Sequence, residues 1–259
     1  MSKTLKQIRA GRLVCAVVYT TPMAGDSSRV RADKQHASNE AREKLNARTS
    51  LQKLERVLAA NFDTGDLYLT LTYDDDHVPA NRTAAIRRVQ GFIAKLRSAR
   101  QARGAQLHYV YVTEEWTSQN KRLHHHMVLN STGLDLAEIR ALWKYGTNLD
   151  IRRLKFDEDE TYEDLAKYLT KEPREWGNPK IGERTWTPSI RLRRPIPETM
   201  DGMPDNLTLT APPEAIAVEV CRSETNGFGS YSWIKYLLPP QETDKPKRAK
   251  NRRRKKRKE

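Results

Sequence analysis

The chain has 259 residues, 37% of them hydrophobic and 31% charged, with a formal net charge of +14. That length holds one sizeable domain with extensions, and the basic excess points to a phosphate-rich partner. Two distant cysteines, Cys15 and Cys221, exclude a zinc framework or a disulfide scaffold, and with no apolar run near the ~20 residues of a membrane span and no secretory segment at Met1–Lys6, a cytoplasmic location is expected.

Residues 1 to about 30 read as irregular apart from one apolar strand, Leu13–Tyr19. A helix is predicted from about Lys34 to Ala60, because Leu51, Leu54, Val57 and Leu58 fall on one stripe. Asn61–Asp66 breaks it. Leu67–Tyr73 then alternates with period two and is rich in β formers, so it is a strand with Leu67, Leu69 and Leu71 on one face. Asp74-Asp75-Asp76 ends it, more as a solvated turn than as a metal site. A second amphipathic helix spans Ala84 to about Arg100, with Ile86, Val89, Ile93 and Leu96 inward.

Leu107–Thr113 is a further strand, running through Glu114-Glu115-Trp116 and a polar turn into Lys121-Arg122-Leu123-His124-His125-His126-Met127-Val128-Leu129. Three of the six histidines stand together here, flanked by apolar residues. In a strand, His124 and His126 share one face, about 7 Å apart by strand rise, and His125 takes the other. Two imidazoles on one face suit a metal ion, since unpaired imidazoles in a core are costly; His125 reads as packing. Asp135–Trp143 is a short helix, and Asn148–Leu154 a strand. Thr161–Lys171 is a helix begun by acidic residues and a variant capping box, Thr161 with Asp164. On its wheel Tyr162, Leu165 and Leu169 form the core face, while Tyr168 sits off the core beside Lys171.

Arg174–Arg194 is basic and aromatic, 195–213 reads as a connector with five prolines, and Ala215–Val220 as a short strand before an aromatic patch, Phe228–Tyr236. From Lys245 to Glu259 stand eleven Lys or Arg and one Glu, a net +10 that leaves +4 for the rest of the chain. Such a run stays disordered and suits a nucleic-acid arm, through Lys245, Lys247, Arg248, Arg252, Arg253 and Arg254. No glycine-rich phosphate loop and no helicase motif is present in the sequence.

An acidic residue before a turn, a His-x-His strand and a Tyr-x-x-Lys helix can converge. Two histidines and a carboxylate suit Mn²⁺, Mg²⁺ or Zn²⁺, which binds a phosphate oxygen as a Lewis acid. A tyrosine beside it can attack phosphorus and become a phosphotyrosine, with lysine lowering the phenol pKa or neutralising charge.

Leu69-Thr70-Leu71-Thr72-Tyr73, His124-His125-His126 and Tyr168-Leu169-Thr170-Lys171 occur in the order and spacing of the HUH endonucleases. The chain resembles in particular the rolling-circle replication initiator (Rep) proteins of phages and plasmids, over roughly residues 45–195. The resemblance implies an α+β fold: a central antiparallel sheet of ferredoxin or RRM-like (HUH) type with helices packed on it, on one side. It makes His124 and His126 metal ligands, the LTLTY-like strand a scaffold, Tyr168 the nucleophile and Lys171 its companion. Glu115 becomes the third ligand, since it precedes His124 by nine residues as the family's Glu does; Glu114 is the adjacent alternative. His125 stands where the family has an apolar or aromatic residue, so a register through His125 is also open. Tyr162, on the core face, argues against a two-tyrosine mechanism.

The expected domains are an N-terminal extension (1–44), the HUH endonuclease domain (45–195), a C-terminal extension packed on or beside it (196–240) and a disordered basic tail (241–259). The expected activity is metal-dependent (Mn²⁺ or Mg²⁺), site-specific nicking and joining of single-stranded or hairpin origin DNA, starting rolling-circle replication. DNA contacts are expected from Arg122, Trp186, Arg191, Arg193 and Arg194 besides the tail, and unwinding from a host helicase. A single-tyrosine transposase or relaxase shares the motifs. A non-catalytic nucleic-acid-binding protein would instead show salt-sensitive binding without cleavage.

Overall fold

The computed structural model describes residues 3–20, 39–115, 123–171, 185–226 and 229–240. The chain is α+β, with two five-stranded antiparallel sheets and four α-helices among the described residues. No helix among them is long and apolar enough to cross a membrane.

The first sheet comes from β3 (Leu67–Leu71), β4 (Tyr109–Glu115), β5 (Leu123–Leu129), β6 (Leu149–Arg153) and β7 (Thr187–Pro188), in the order β6-β3-β5-β4-β7. Helices α2 (Arg82–Ala102) and α3 (Asp135–Leu142) complete a β-α-β-β-α-β unit. Its four strands lie in the order fourth, first, third, second, which is the ferredoxin-like arrangement expected from the sequence.

Strand alternation decides what each face of this sheet meets. Leu67, Leu69, Leu71, Tyr111, Met127 and Leu129 bury one face against Val89, Phe92, Ile93 and Leu96 of α2 and Ile139 of α3. On the opposite face, Val110, Val112 and Val128 pack with Leu54, Val57 and Leu58 of α1 (Asn39–Asn61) and with Ala166 and Leu169 of α4 (Glu163–Leu169). Helices therefore cover both sides, where the resemblance implied one. The apolar stripe of α1 needs a second layer, and the sheet's outer face is the surface available to it. Each fully buried leucine here contributes about 1.5–3 kcal/mol of transfer free energy.

The loop after α3 is sewn to the end of β3. Asp74 accepts the Thr147 N–H at 3.1 Å, and the Trp143 indole donates to the Thr72 carbonyl at 2.9 Å. A Cβ on Gly146 would collide with that same carbonyl, so only glycine permits the approach. Asp74 is thus a turn clasp, while Asp75 and Asp76 face solvent.

The second sheet was not legible as such. It joins β1 (Lys3–Ala10) and β2 (Leu13–Thr20) to β8 (Glu198–Met203), β9 (Ile216–Asn226) and β10 (Gly229–Leu237), in the order β8-β1-β2-β10-β9. The segments treated as two extensions, 1–44 and 196–240, thus contribute strands to one sheet. Two parts of it differ from the expectation: residues 3–10 are a strand rather than irregular, and the connector contains β8, paired with β1. Lys235 on β10 ties this sheet to the first. Its ammonium lies 2.8 Å from the buried Glu55 carboxylate of α1 and also pairs with Glu163 at the start of α4. Burial would lower the lysine pKa, but its bonds to Glu163 and Glu55 outweigh that and raise it, so the cation persists.

Candidate active site

The pairing register of β3, β4 and β5 assembles a polar cluster on the face covered by α1 and α4. Glu114 lies opposite His124, Val112 opposite His126, and Thr70 opposite His126 from the other side. Directly opposed residues share a face, so Glu114, His124, His126, Thr70 and Tyr68 point together.

The Glu114 Oε2 lies 2.7 Å from His126 Nε2 and 3.2 Å from His124 Nε2, and the two Nε2 atoms are 3.1 Å apart. All three ligand-type atoms fall within 4.8 Å of one another. Burial works to raise the Glu114 carboxyl, but hydrogen bonds from His124 and His126 win and hold its pKa at about 2. The carboxylate is therefore charged at neutral pH. Two imidazole nitrogens and one anionic oxygen at this spacing form a donor set for a divalent cation of mixed nitrogen and oxygen preference.

The carboxylate in this cluster is Glu114, where the spacing argument favoured Glu115. Register explains the difference: the backbone at 115 pairs with Leu123, one step past His124. The Glu115 side chain lies outside the described residues.

His125 has the opposite surroundings. It is fully buried, with Nε2 2.7 Å from the Tyr73 hydroxyl and Nδ1 2.9 Å from the Thr113 hydroxyl. Burial, aided by the positive charge of His124, Arg82 and His126, pushes its pKa down to about 3. It is a neutral imidazole bridging two hydroxyls across the other face of the sheet.

Tyr168 reaches the cluster from α4. Its hydroxyl is 3.2 Å from His126 Nε2, and the residue remains 49% exposed, so an incoming group has access to the oxygen. The helix that carries it is placed by Asp157. That carboxylate accepts the N–H of Glu163 at 3.0 Å and of Asp164 at 3.4 Å, while Thr161 Oγ1 also accepts the Glu163 N–H. The start is thus held from Asp157 rather than by the Thr161–Asp164 box. The helix ends at Leu169, so Lys171 lies beyond it and is exposed, not one turn on along the same helix. Tyr162 is 1% exposed, packed against Phe156, and its hydroxyl has no hydrogen-bond partner among the described residues.

Sequence reasoning missed Tyr68 and Thr70. The Tyr68 hydroxyl is 2.6 Å and the Thr70 hydroxyl 3.3 Å from His126 Nδ1, the nitrogen that faces away from Glu114. The signal was present in the alternation of Leu67, Leu69 and Leu71, which leaves 68 and 70 on the histidine face. Burial and the neighbouring Tyr168 phenol raise the Tyr68 pKa, so it stays a neutral phenol.

Other expected contacts lie elsewhere. Trp186 is half-buried over α1 and donates to Ser50 Oγ at 3.1 Å. Arg191, Arg193 and Arg194 are exposed, and the charges of Arg191 and Arg193 act on His108, just before β4. Glu114 is at the far end of that strand, roughly 20 Å away by strand rise. Arg122 and the tail residues Lys245, Lys247, Arg248, Arg252, Arg253 and Arg254 lie outside the described residues.

No curated protein and no solved structure matches the chain. One family model does match, over residues 66–173, the stretch that carries β3 to β6, the Glu114–His124–His126 cluster and the Tyr168 phenol. This segment is thereby assigned to the family described as replication-associated proteins of the ORF2 type.

Proposed function

We propose that the protein is a metal-dependent endonuclease and strand transferase of HUH type, which nicks and rejoins single-stranded DNA at an origin to start rolling-circle replication of a phage, plasmid or other mobile element. The observation that carries this reading is the Tyr168 hydroxyl 3.2 Å from His126 Nε2, inside a cluster of two imidazoles and a carboxylate. A replication-associated family match over the same segment supports it.

His124, His126 and Glu114 would hold the ion, Mn²⁺ or Mg²⁺, which when bound supplies Lewis acidity to a non-bridging phosphate oxygen. Tyr168 is then the nucleophile. Its oxygen forms a bond to phosphorus, the phosphorus–O3′ bond breaks, and the strand leaves as a 3′-hydroxyl. The phenolic proton passes to solvent, and the 5′-phosphate stays on Tyr168. Because bond energy is conserved in the phosphotyrosine, a 3′-hydroxyl can reverse the step and rejoin the strand. Lys171 supplies positive charge near the phenol, and the exposed Arg191, Arg193 and Arg194 meet phosphates of flanking DNA. Strand separation falls to a host helicase in the cytoplasm.

Incubation with a 5′- or 3′-labelled origin oligonucleotide and Mn²⁺ should give a covalent adduct on a denaturing gel, retaining the label 3′ of the nick. Tyr168→Phe should abolish it. An adduct that persists in Tyr168→Phe removes Tyr168 from the mechanism.

A further inference from the structure

We infer that Tyr68 is a positioning residue for the metal site, holding the His126 imidazole in the tautomer that presents its Nε2 lone pair to the cluster. The inference rests on the reading of Glu114, His124 and His126 as ligands, and adds a residue to which no role in that site was assigned.

The two nitrogens of His126 have distinct neighbours. Nε2 faces the cluster, with Glu114 Oε2 at 2.7 Å, His124 Nε2 at 3.1 Å and the Tyr168 hydroxyl at 3.2 Å. Nδ1 faces β3, with the Tyr68 hydroxyl at 2.6 Å and Thr70 Oγ1 at a longer 3.3 Å. The Tyr68 ring also lies nearly parallel to the imidazole, 14° between planes and 5.7 Å between centroids. His126 is 3% exposed, so water does not readily replace the phenol.

A neutral imidazole carries one proton. If Nε2 is to give a lone pair to a cation, the proton must sit on Nδ1, where it needs an acceptor. The Tyr68 oxygen is that acceptor. Without a cation, Nε2–H can instead donate to the Glu114 carboxylate, and Nδ1 then accepts from the Tyr68 hydroxyl. A phenol serves both states by turning one O–H bond, with no motion of either ring. A carboxylate could only accept, and phenylalanine could do neither. Partners of this kind, bound to the far nitrogen of a ligating histidine, typically change metal affinity by about 10–100-fold when removed.

The experiment uses the full chain without DNA. Mn²⁺ binding, followed by the electron paramagnetic resonance signal of the free ion, is compared for wild type, Tyr68→Phe, Thr70→Val and His126→Ala. Tyr68→Phe, which keeps the stacked ring, is expected to weaken Mn²⁺ about 10–100-fold. Thr70→Val, which removes only the longer contact, should have the smaller effect. Tyr68→Phe binding as tightly as wild type while His126→Ala loses the ion overturns the inference and leaves the metal site standing. Wild type binding no Mn²⁺, or His126→Ala binding as well as wild type, overturns the metal reading itself and the inference with it. Should Tyr68→Phe not fold, long-range ¹H–¹⁵N spectra of wild type with Mg²⁺ decide the matter. A proton on Nδ1 of His126 is expected, and a proton on Nε2 overturns the assignment.

Discussion

Buried and neutral, His125 makes the fold sensitive to acid in a way that one substitution can isolate. Its pKa is pushed down from an ordinary 6.5 to about 3, chiefly by burial. Between those values the unfolded chain binds a proton that the folded chain refuses. The contribution is fully present above pH 6.5 and is lost as the pH falls toward 3. At pH 5 the loss from this one group is about 2 kcal/mol relative to pH 7.5, from the ratio of the two binding polynomials. His125→Gln keeps an amide able to reach the Tyr73 and Thr113 hydroxyls, but has nothing to titrate. Its absolute stability will fall; its pH dependence is the informative quantity. Urea unfolding at pH 7.5 and pH 5, in chelator so that metal linkage does not enter, should show the variant losing about 2 kcal/mol less than wild type on acidification. Equal losses would refute the reasoning, because they would mean that His125 titrates alike in both states. The same variant should keep Mn²⁺ affinity within about twofold, since a ligand would be felt far more strongly.

Glu114→Gln should weaken Mn²⁺ binding by more than about 100-fold, whereas Glu115→Gln should stay near wild type by the same titration. Lys235→Met leaves the buried Glu55 carboxylate without its cation, and chemical denaturation should report a loss of about 3–5 kcal/mol. Tyr162→Phe removes a buried hydroxyl that has no partner among the described residues, so stability should hold or rise by about 1 kcal/mol while the DNA adduct forms undiminished. Loss of the adduct in Tyr162→Phe would reinstate a second catalytic tyrosine.

What could be read in advance was local and periodic. The alternation of Leu67, Leu69 and Leu71 and the parity of His124 and His126 follow from two-residue repeats, and the structure keeps both. Glu114 against Glu115 was not readable in that way. The choice depends on how the β4–β5 hairpin closes, and a one-residue change there exchanges the two faces of the strand. Lys171 failed for a similar reason. A wheel drawn over Thr161–Lys171 assumes one continuous helix, but α4 runs only from Glu163 to Leu169. The second sheet was the least legible. Its pairing of Tyr19 with Tyr231 is set by no local pattern, and the Lys3–Arg9 stretch of β1 is mostly partly covered rather than alternating between core and solvent.

The pairing of β2 with β10 also sets an order on how the molecule can be made. Thr20 and Ser230, which bond across that pair, are 210 residues apart. At 5–20 residues per second, a ribosome needs on the order of 10–40 s to travel between them. During that interval the apolar residues Val14, Ala16 and Val18 have no neighbour on the β10 side, while β3 to β6 and the histidine face already have all their strands. Lys235 arrives last and closes onto Glu55 and Glu163. The nascent chain thus acquires its cluster of ligands before it acquires the cation that steadies the tyrosine helix, and a stall before β10 would leave a complete histidine face beneath a loosely held nucleophile.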